Sequence, residues 1–158
     1  MSDAKDRKDV YVIGKKRGAD VLRPLSPEHP DDETLEGLLI VRPEGRIFFM
    51  NVEAVAEKIR AFIKQYRPRV VAIDMSRVPD IEYSALQVLL DVDRRAATLG
   101  VEWWLAGLNP GALEVVRKAG LYDRLGRERM LFNARAAIER FQKRASDAEP
   151  GPETTTAR

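Results

Sequence analysis

The sequence predicts an α/β fold, with a central sheet that has a parallel portion and helices packed on it. Three observations carry this. From residue 51 onward, segments of helical periodicity alternate three times with apolar runs of strand length. One of those runs, "RVVAID" (69–74), is almost continuously apolar, the pattern of a strand buried on both faces. The stretch "NPGALEVVRKAG" (109–120) is a complete helix signature, with Asn109 at the N-cap, Pro110 at the first helical position and Gly120 past the end.

Residues 1–8 are charged and short of apolar content, so they are expected to be frayed. "DVYVIGK" (9–15) reads as a short strand ended by Gly14. Residues 17–37 form a long loop of acids and prolines, with a short extended piece at 20–22. "LLIVRP" (38–43), the turn "EGR" (44–46) and a returning strand "IFFM" (47–50) predict a hairpin. Asn51 is expected to cap a helix whose Val52, Val55, Ile59, Phe62 and Tyr66 share one face, with Pro68 at its exit.

After "RVVAID" comes "VPDIEYSALQVLL" (78–90). It reads as a helix start with Asp80 as N-cap, Glu82 in the first turn and Ser84 near the fourth position, and the helix runs to Leu99 before Gly100. "VEWWLAGL" (101–108) is a strand whose adjacent Trp103 and Trp104 must point to opposite faces, one into the core and one under a helix. "RMLF" (129–132) is a short edge strand, and "NARAAIERFQKRA" (133–145) a last amphipathic helix. One domain over 9–143 is expected, followed by a disordered tail over 144–158 rich in Pro, Gly, Thr and charge.

The bulk numbers suit this. The chain has 158 residues, 44% apolar and 33% charged, with a net charge of +2, too small to argue for a nucleic-acid partner. The absence of cysteine excludes disulfides, thiolate metal sites and thiol nucleophiles. No run approaches the roughly 20 apolar residues that span a bilayer, and the polar start "MSDAKDRKDV" is no signal peptide. The chain is expected to be soluble.

Catalytic chemistry finds little support. The single histidine, His29, sits in the Pro-rich acidic loop without a partner for a triad or a metal site. No glycine-rich phosphate loop, HExxH or GxSxG occurs. The acidic run Glu28, Asp31, Asp32, Glu33 lacks calcium-loop spacing and reads as solvated surface. Asp74, Asp80 and Glu82 cluster at the carboxyl end of a strand, where open α/β sheets bind ligands, but helix capping is the preferred reading, because caps of this kind are routine. The basic residues Arg94, Arg95, Arg117, Lys118, Arg124, Arg127 and Arg129 could face anionic lipid or an acidic partner, but read by default as a charge-balanced solvated face. No catalytic residue and no metal ligand set is expected.

The order strand, "AIDMSRVPDIEYSALQVL", "GVEWWLAGLNPGALEVVRKAGL" resembles a STAS domain, the fold named for sulfate transporters and anti-sigma factor antagonists. Upstream, Gly37, Leu38, Leu39, Arg42, Phe48, Phe49 and Asn51 match the pattern by which SulP-family anion permeases enter that domain. The likeness covers roughly residues 9–143. It implies a mixed sheet of four to five strands with helices mainly on one face.

It also implies a role. The expected function is a non-catalytic regulatory and interaction domain of a SulP-type anion transporter of the sulfate class. It would lie on the cytoplasmic side of the membrane and support transport, assembly and partner binding. The implied partners are the transporter's own membrane domain, a cytosolic protein and a second copy through the parent transporter, but no nucleic acid. The alternative is a free-standing anti-sigma factor antagonist. In those relatives a loop Asp-Ser/Thr-Ser-Gly-Leu is phosphorylated at its second hydroxyl residue, which Ser84 matches here. Glu82, Tyr83 and Ala85 depart from that pattern, and Ala85 removes the backbone freedom of a glycine. Asp80, Glu82, Tyr83 and Ser84 are therefore expected to form an interaction loop more than a switch. No cofactor is expected, beyond weak nucleotide or anion binding at Asp74, Ser76 and Asn109, which the resemblance implies and the nearby acids oppose.

Overall fold

The computed structural model describes residues 10–148. The elements follow as β1 (Val10–Lys15), β2 (Leu22–Pro24), β3 (Leu38–Pro43), α1 (Val52–Tyr66), β4 (Val70–Asp74), α2 (Tyr83–Thr98), β5 (Glu102–Ala106), α3 (Pro110–Lys118), α4 (Leu121–Leu125), β6 (Met130–Leu131) and α5 (Ala134–Ala148), with a 3-10 turn at Arg127–Arg129 before β6. One mixed sheet runs in the order β2-β1-β3-β4-β5-β6. β1 pairs antiparallel with β2 and β3, whereas β3, β4, β5 and β6 are mutually parallel.

The α/β class is as the sequence predicts, with one strand more than the four to five expected. The extra strand is β2, two residues beyond the extended piece expected at 20–22, and it pairs Leu22 with Lys15 and Pro24 with Ile13. The predicted hairpin over 38–50 does not form. β3 has both edges occupied, by β1 on one side and β4 on the other, so 47–50 has no edge to return along. Only Ile47 keeps a strand-like bond, as an isolated parallel bridge to Ile81. α4 and the 3-10 turn had no sequence signal. α5 runs on to Ala148, into the segment expected as tail. Residues 1–9 and 149–158 lie outside the described residues, with the expected frayed start and most of the expected tail.

Period-two alternation splits the core across the sheet. Val71, Ile73, Trp103 and Leu105 face α1–α4, and Ile59, Leu86 and Val116 close over them. Val70, Ala72, Trp104 and Ala106 face the other way, where α5 covers them with Ala134, Ala137 and Phe141. The two tryptophans separate as expected. Trp104 donates from Nε1 to Glu102 at 3.0 Å, whereas Trp103 Nε1 is buried without a partner. Four helices thus cover one face and one covers the other, because the successive parallel crossovers all pack on the same side.

Polar ties hold the edges. In the acidic run Glu28, Asp31 and Glu33 are exposed as expected, and only Asp32 departs from a solvated surface. Asp32 takes a bidentate bond from Arg23 at 2.7 and 2.8 Å, and this holds its carboxyl below the usual range. Glu33 joins the sheet through its backbone, exchanging bonds with Lys15 at 2.8 Å each way. Asp93, buried in α2, pairs with Arg124 at 2.7 Å. Glu102 gathers Arg129 at 3.0 Å, the Trp104 indole and Arg144. Burial pushes its carboxyl up, but the hydrogen bonds from Arg144 and Trp104 and the two arginine charges outweigh that and hold it below the usual glutamate value.

Two predictions follow from these contacts. Because folding favours the ionised form of Glu102, its network contributes in full above the unfolded-chain pKa of about 4.3. That contribution fades as pH falls through the lower folded value. Glu102→Gln should therefore flatten the acid side of the stability profile, measured as urea midpoint against pH, below about pH 4.5. Gly37 has φ +87°, and a Cβ there would lie 2.8 Å from Arg69 Nε and 3.1 Å from the Phe141 ring. Gly37→Ala should lower stability by about 1–3 kcal/mol in urea unfolding, since strain and crowding add.

Candidate interaction site

β3, β4, β5 and β6 end toward one rim of the sheet, and the loops leaving β3, β4 and β5 meet there. Two of them fasten together. Gly45 N–H donates to the Arg77 carbonyl at 2.9 Å, Ile47 N–H to Asp80 at 3.0 Å, and Glu82 N–H to Ile47 at 3.0 Å. Ile47 and Ile81 are each 1% exposed, so the clasp is anchored in the core. The side chains that alternate with them point outward. The Arg46 guanidinium donates from Nε to Asp80 Oδ2 at 2.8 Å, brings Nη2 within 3.8 Å of Glu82 Oε2, and stacks with Cζ 5.0 Å from the centre of the Phe48 ring. Glu82 Oε1 accepts the Phe49 N–H at 2.8 Å.

This geometry corrects four helix-start readings. Asp80 is not the N-cap of α2, because the helix begins at Tyr83, and Arg46 engages its carboxylate instead. Glu82 occupies that position in extended geometry without a side-chain bond to the helix. Ser84 is consequently the second helical residue, not the fourth, and is exposed. Asn51 stands at the start of α1 but does not cap it with its side chain. Its Oδ1 accepts from Phe48 N–H at 2.9 Å and its Nδ2 donates to the Arg46 carbonyl at 2.6 Å, which folds the turn before the helix. Ala85 is 1% exposed inside α2, where no glycine freedom is needed.

Asp80, Glu82, Tyr83 and Ser84 come together as one loop and helix start. Asp74, Ser76 and Asn109 lie beside it, with the Asp74 carboxylate and the Asn109 amide engaged and Ser76 exposed. Asp74 is buried and accepts the Ser76 N–H at 3.0 Å. Asn109 caps α3 as predicted, accepting from Ala112 N–H at 2.8 Å, and its Nδ2 spans to the Val78 and Pro79 carbonyls at 3.3 and 3.1 Å. Gly107, at φ +70°, lets the two strand ends close up. A Cβ there would sit 3.1 Å from Asp74 Oδ1 and 3.2 Å from Ser76 N.

Sequence reasoning missed Arg46, Phe49 and Met50 as parts of this rim. Arg46 is 34 residues from Asp80, so only the clasp brings them together. Phe49, Met50 and Tyr83 are 69%, 74% and 55% exposed, an apolar surface around the helix start. The arrangement suits recognition. Its acids are satisfied internally, while its apolar side chains and the Ser84 hydroxyl face outward. Among the described residues, no three His, Cys, Asp or Glu side chains group as a metal site would require. His29 belongs to a turn in the acidic loop, where its carbonyl accepts from Asp32 N–H at 3.2 Å. Several second-half cations are paired: Arg95 with Asp91, Lys118 with Glu114, Arg124 with Asp93, and Arg129 with Glu102. No helix of the described residues is long and apolar enough to cross a membrane.

The comparisons with known proteins agree with the fold. Residues 29–138 match the STAS domain family. The probable sulfate transporter 4.2 of Arabidopsis thaliana is 24% identical over 154 residues, covering 89% of this chain and 23% of the plant protein. The chain therefore spans less than a quarter of that relative's length. A structure of the murine solute carrier 26 member A9 anion transporter superposes with a TM-score of 0.75 at 16% identity, over 85% of this chain and 22% of that one. The STAS domain of a SulP transporter from Vibrio cholerae gives 0.64 at 18% identity, over 76% and 92%. The anti-sigma factor antagonist SpoIIAA, in its unphosphorylated form, gives 0.55 at 20% identity, over 70% and 93%.

The Glu82 bond to Phe49 makes a local prediction. Glu82→Ala should raise hydrogen exchange at the Phe49 amide on the order of tenfold, the usual worth of a hydrogen bond to a charged group. Exchange at Ile59 and Ile73 should change far less, because their amides belong to the core.

Proposed function

The chain belongs to the STAS domain family, and from that premise we propose that it is the regulatory and interaction domain of a SulP-type secondary anion transporter of the sulfate class. It works without catalysis, on the cytoplasmic side of the membrane, in contact with the transporter's own membrane domain. It supports transport and assembly and offers a surface to a cytosolic partner. The observation that carries this reading is how far along the chain the transporter likeness extends. The family match begins at residue 29, after β1 and β2. The plant sulfate transporter and the murine anion transporter each match a longer part of the chain than the antagonist SpoIIAA does.

The interaction loop is Asp80–Ser84, flanked by Phe49 and Met50. The internal pairing of Asp80 and Glu82 supports a docking surface read by shape and apolar contact rather than by free negative charge. A second reading, a free-standing antagonist switched by phosphorylation, is favoured by one observation. Ser84 is exposed in the first turn of α2, where the positive helix end would stabilise a phosphate.

Cell fractionation separates the two. An antibody to the chain should detect a species far heavier than 17.9 kDa that stays in the membrane after high-salt and alkaline washes. A wash-soluble species of the chain's own mass, labelled by phosphate in a manner that Ser84→Ala abolishes, would sink the transporter reading and establish the switch.

A further inference from the structure

The rim opposite the interaction loop carries a second surface. The carboxyl ends of α1 and α2 flank a groove of about 640 Å³, completed by Pro68 and Val101, which lead into β4 and β5. Its floor is apolar, formed by Ile63, Val92, Ala96 and Val101, each less than 9% exposed and so recessed. Leu99 stands at the lip, 76% exposed. The polar lining is of one sign: Arg60, Lys64, Arg67 and Arg95, with no acid among the lining residues. Arg95 pairs along its own helix with Asp91, whereas Arg60, Lys64 and Arg67 have no ion-pair partner among the described residues. On a chain of net charge +2, this is a local concentration of cations.

Helix dipoles account for Lys64 and Arg95, which lie in last turns. They do not account for Arg67. It is the one non-glycine residue with positive φ among the described residues, at φ 46° and ψ 55°. This is a C-cap position where glycine is the ordinary choice. Pro68 follows and disfavours helical backbone in the residue before it. The chain thus holds an arginine in strained backbone at the edge of a cation-rimmed groove, and such strain collects at functional positions.

We propose that this groove docks an acidic amphipathic helix of a partner protein. Its apolar side chains would enter the floor while its Asp and Glu residues meet Arg60, Lys64 and Arg67. The recessed floor favours a protruding side chain over a flat bilayer, which would touch Leu99 and the cations but not Val92. The groove and Ser84 lie at opposite ends of α2, whose 16 residues span roughly 24 Å, so the two surfaces can be occupied separately. The chemistry holds whether or not the chain is joined to a membrane domain.

The test uses the whole chain and a synthetic amphipathic helical peptide with a leucine stripe flanked by glutamates, beside the same peptide with lysines for glutamates. The acidic peptide should bind saturably, more weakly as salt rises, and shift the amides of Ile63, Ala96, Leu99 and Val101. The lysine peptide should bind at least about tenfold more weakly, the size expected when charge pairs become like-charge contacts. Arg67→Gly should weaken the acidic peptide several-fold while leaving the melting temperature at or above the parent's, because glycine relieves the strain. Arg60→Glu should weaken it further. Equal binding of both peptides, shifts confined to other surfaces, or unchanged affinity in Arg67→Gly would overturn the proposal. Binding to phosphatidylglycerol vesicles without binding to the acidic peptide would assign the groove to a lipid surface instead.

Discussion

The rest of the structure depends on β4 being sealed on every side. All five of its residues are buried, and parallel strands occupy both of its edges. A strand in that position has no water to satisfy its backbone, so β3 and β5 must lie beside it in register. Its alternating side chains then require an apolar layer on each face, which α1–α4 supply on one side and α5 on the other. With both faces closed, the surfaces left for function are the two rims where strands meet loops.

At the carboxyl rim, charge is spent on shape. Arg46 gathers Asp80 and Glu82, Glu82 in turn holds the Phe49 amide, and the Ile47–Ile81 bridge roots the clasp in the core. Beside these paired charges, Phe49, Met50, Tyr83 and Ser84 face outward. A surface of this kind recognises a partner through contact area, with charge setting its frame rather than its target.

At the amino rim the balance is reversed. The carboxyl ends of α1 and α2 bring cations together around a recessed apolar floor, and the backbone at Arg67 bends in a way its side chain does not favour. At one rim the clasp pairs Arg46 with Asp80 and Glu82 and exposes apolar groups beside them. The other gathers cations around a recessed apolar floor, with Leu99 exposed at its lip. α2 is the rigid element that connects them.

Local signals in the sequence determined most of the fold. Continuous apolar runs placed β3, β4 and β5, helical periodicity placed α1 and α2, and Asn109, Pro110 and Gly120 bounded α3, because each of these cues acts within a few residues. Local logic also placed Trp103 and Trp104 on opposite faces. What the sequence could not decide was who pairs with whom across the chain. "IFFM" had strand character, but β3 offered it no free edge, and only the finished sheet reveals that. Asp80 had the look of a cap until Arg46, 34 residues away, claimed it. Asp32 had the look of solvated surface until Arg23 bound it on both oxygens. The groove at Arg67 exists only because two helix ends, far apart in sequence, finish side by side. Propensity and periodicity are short-range quantities, whereas edges, ion pairs and grooves are made by residues that meet only after the sheet has closed.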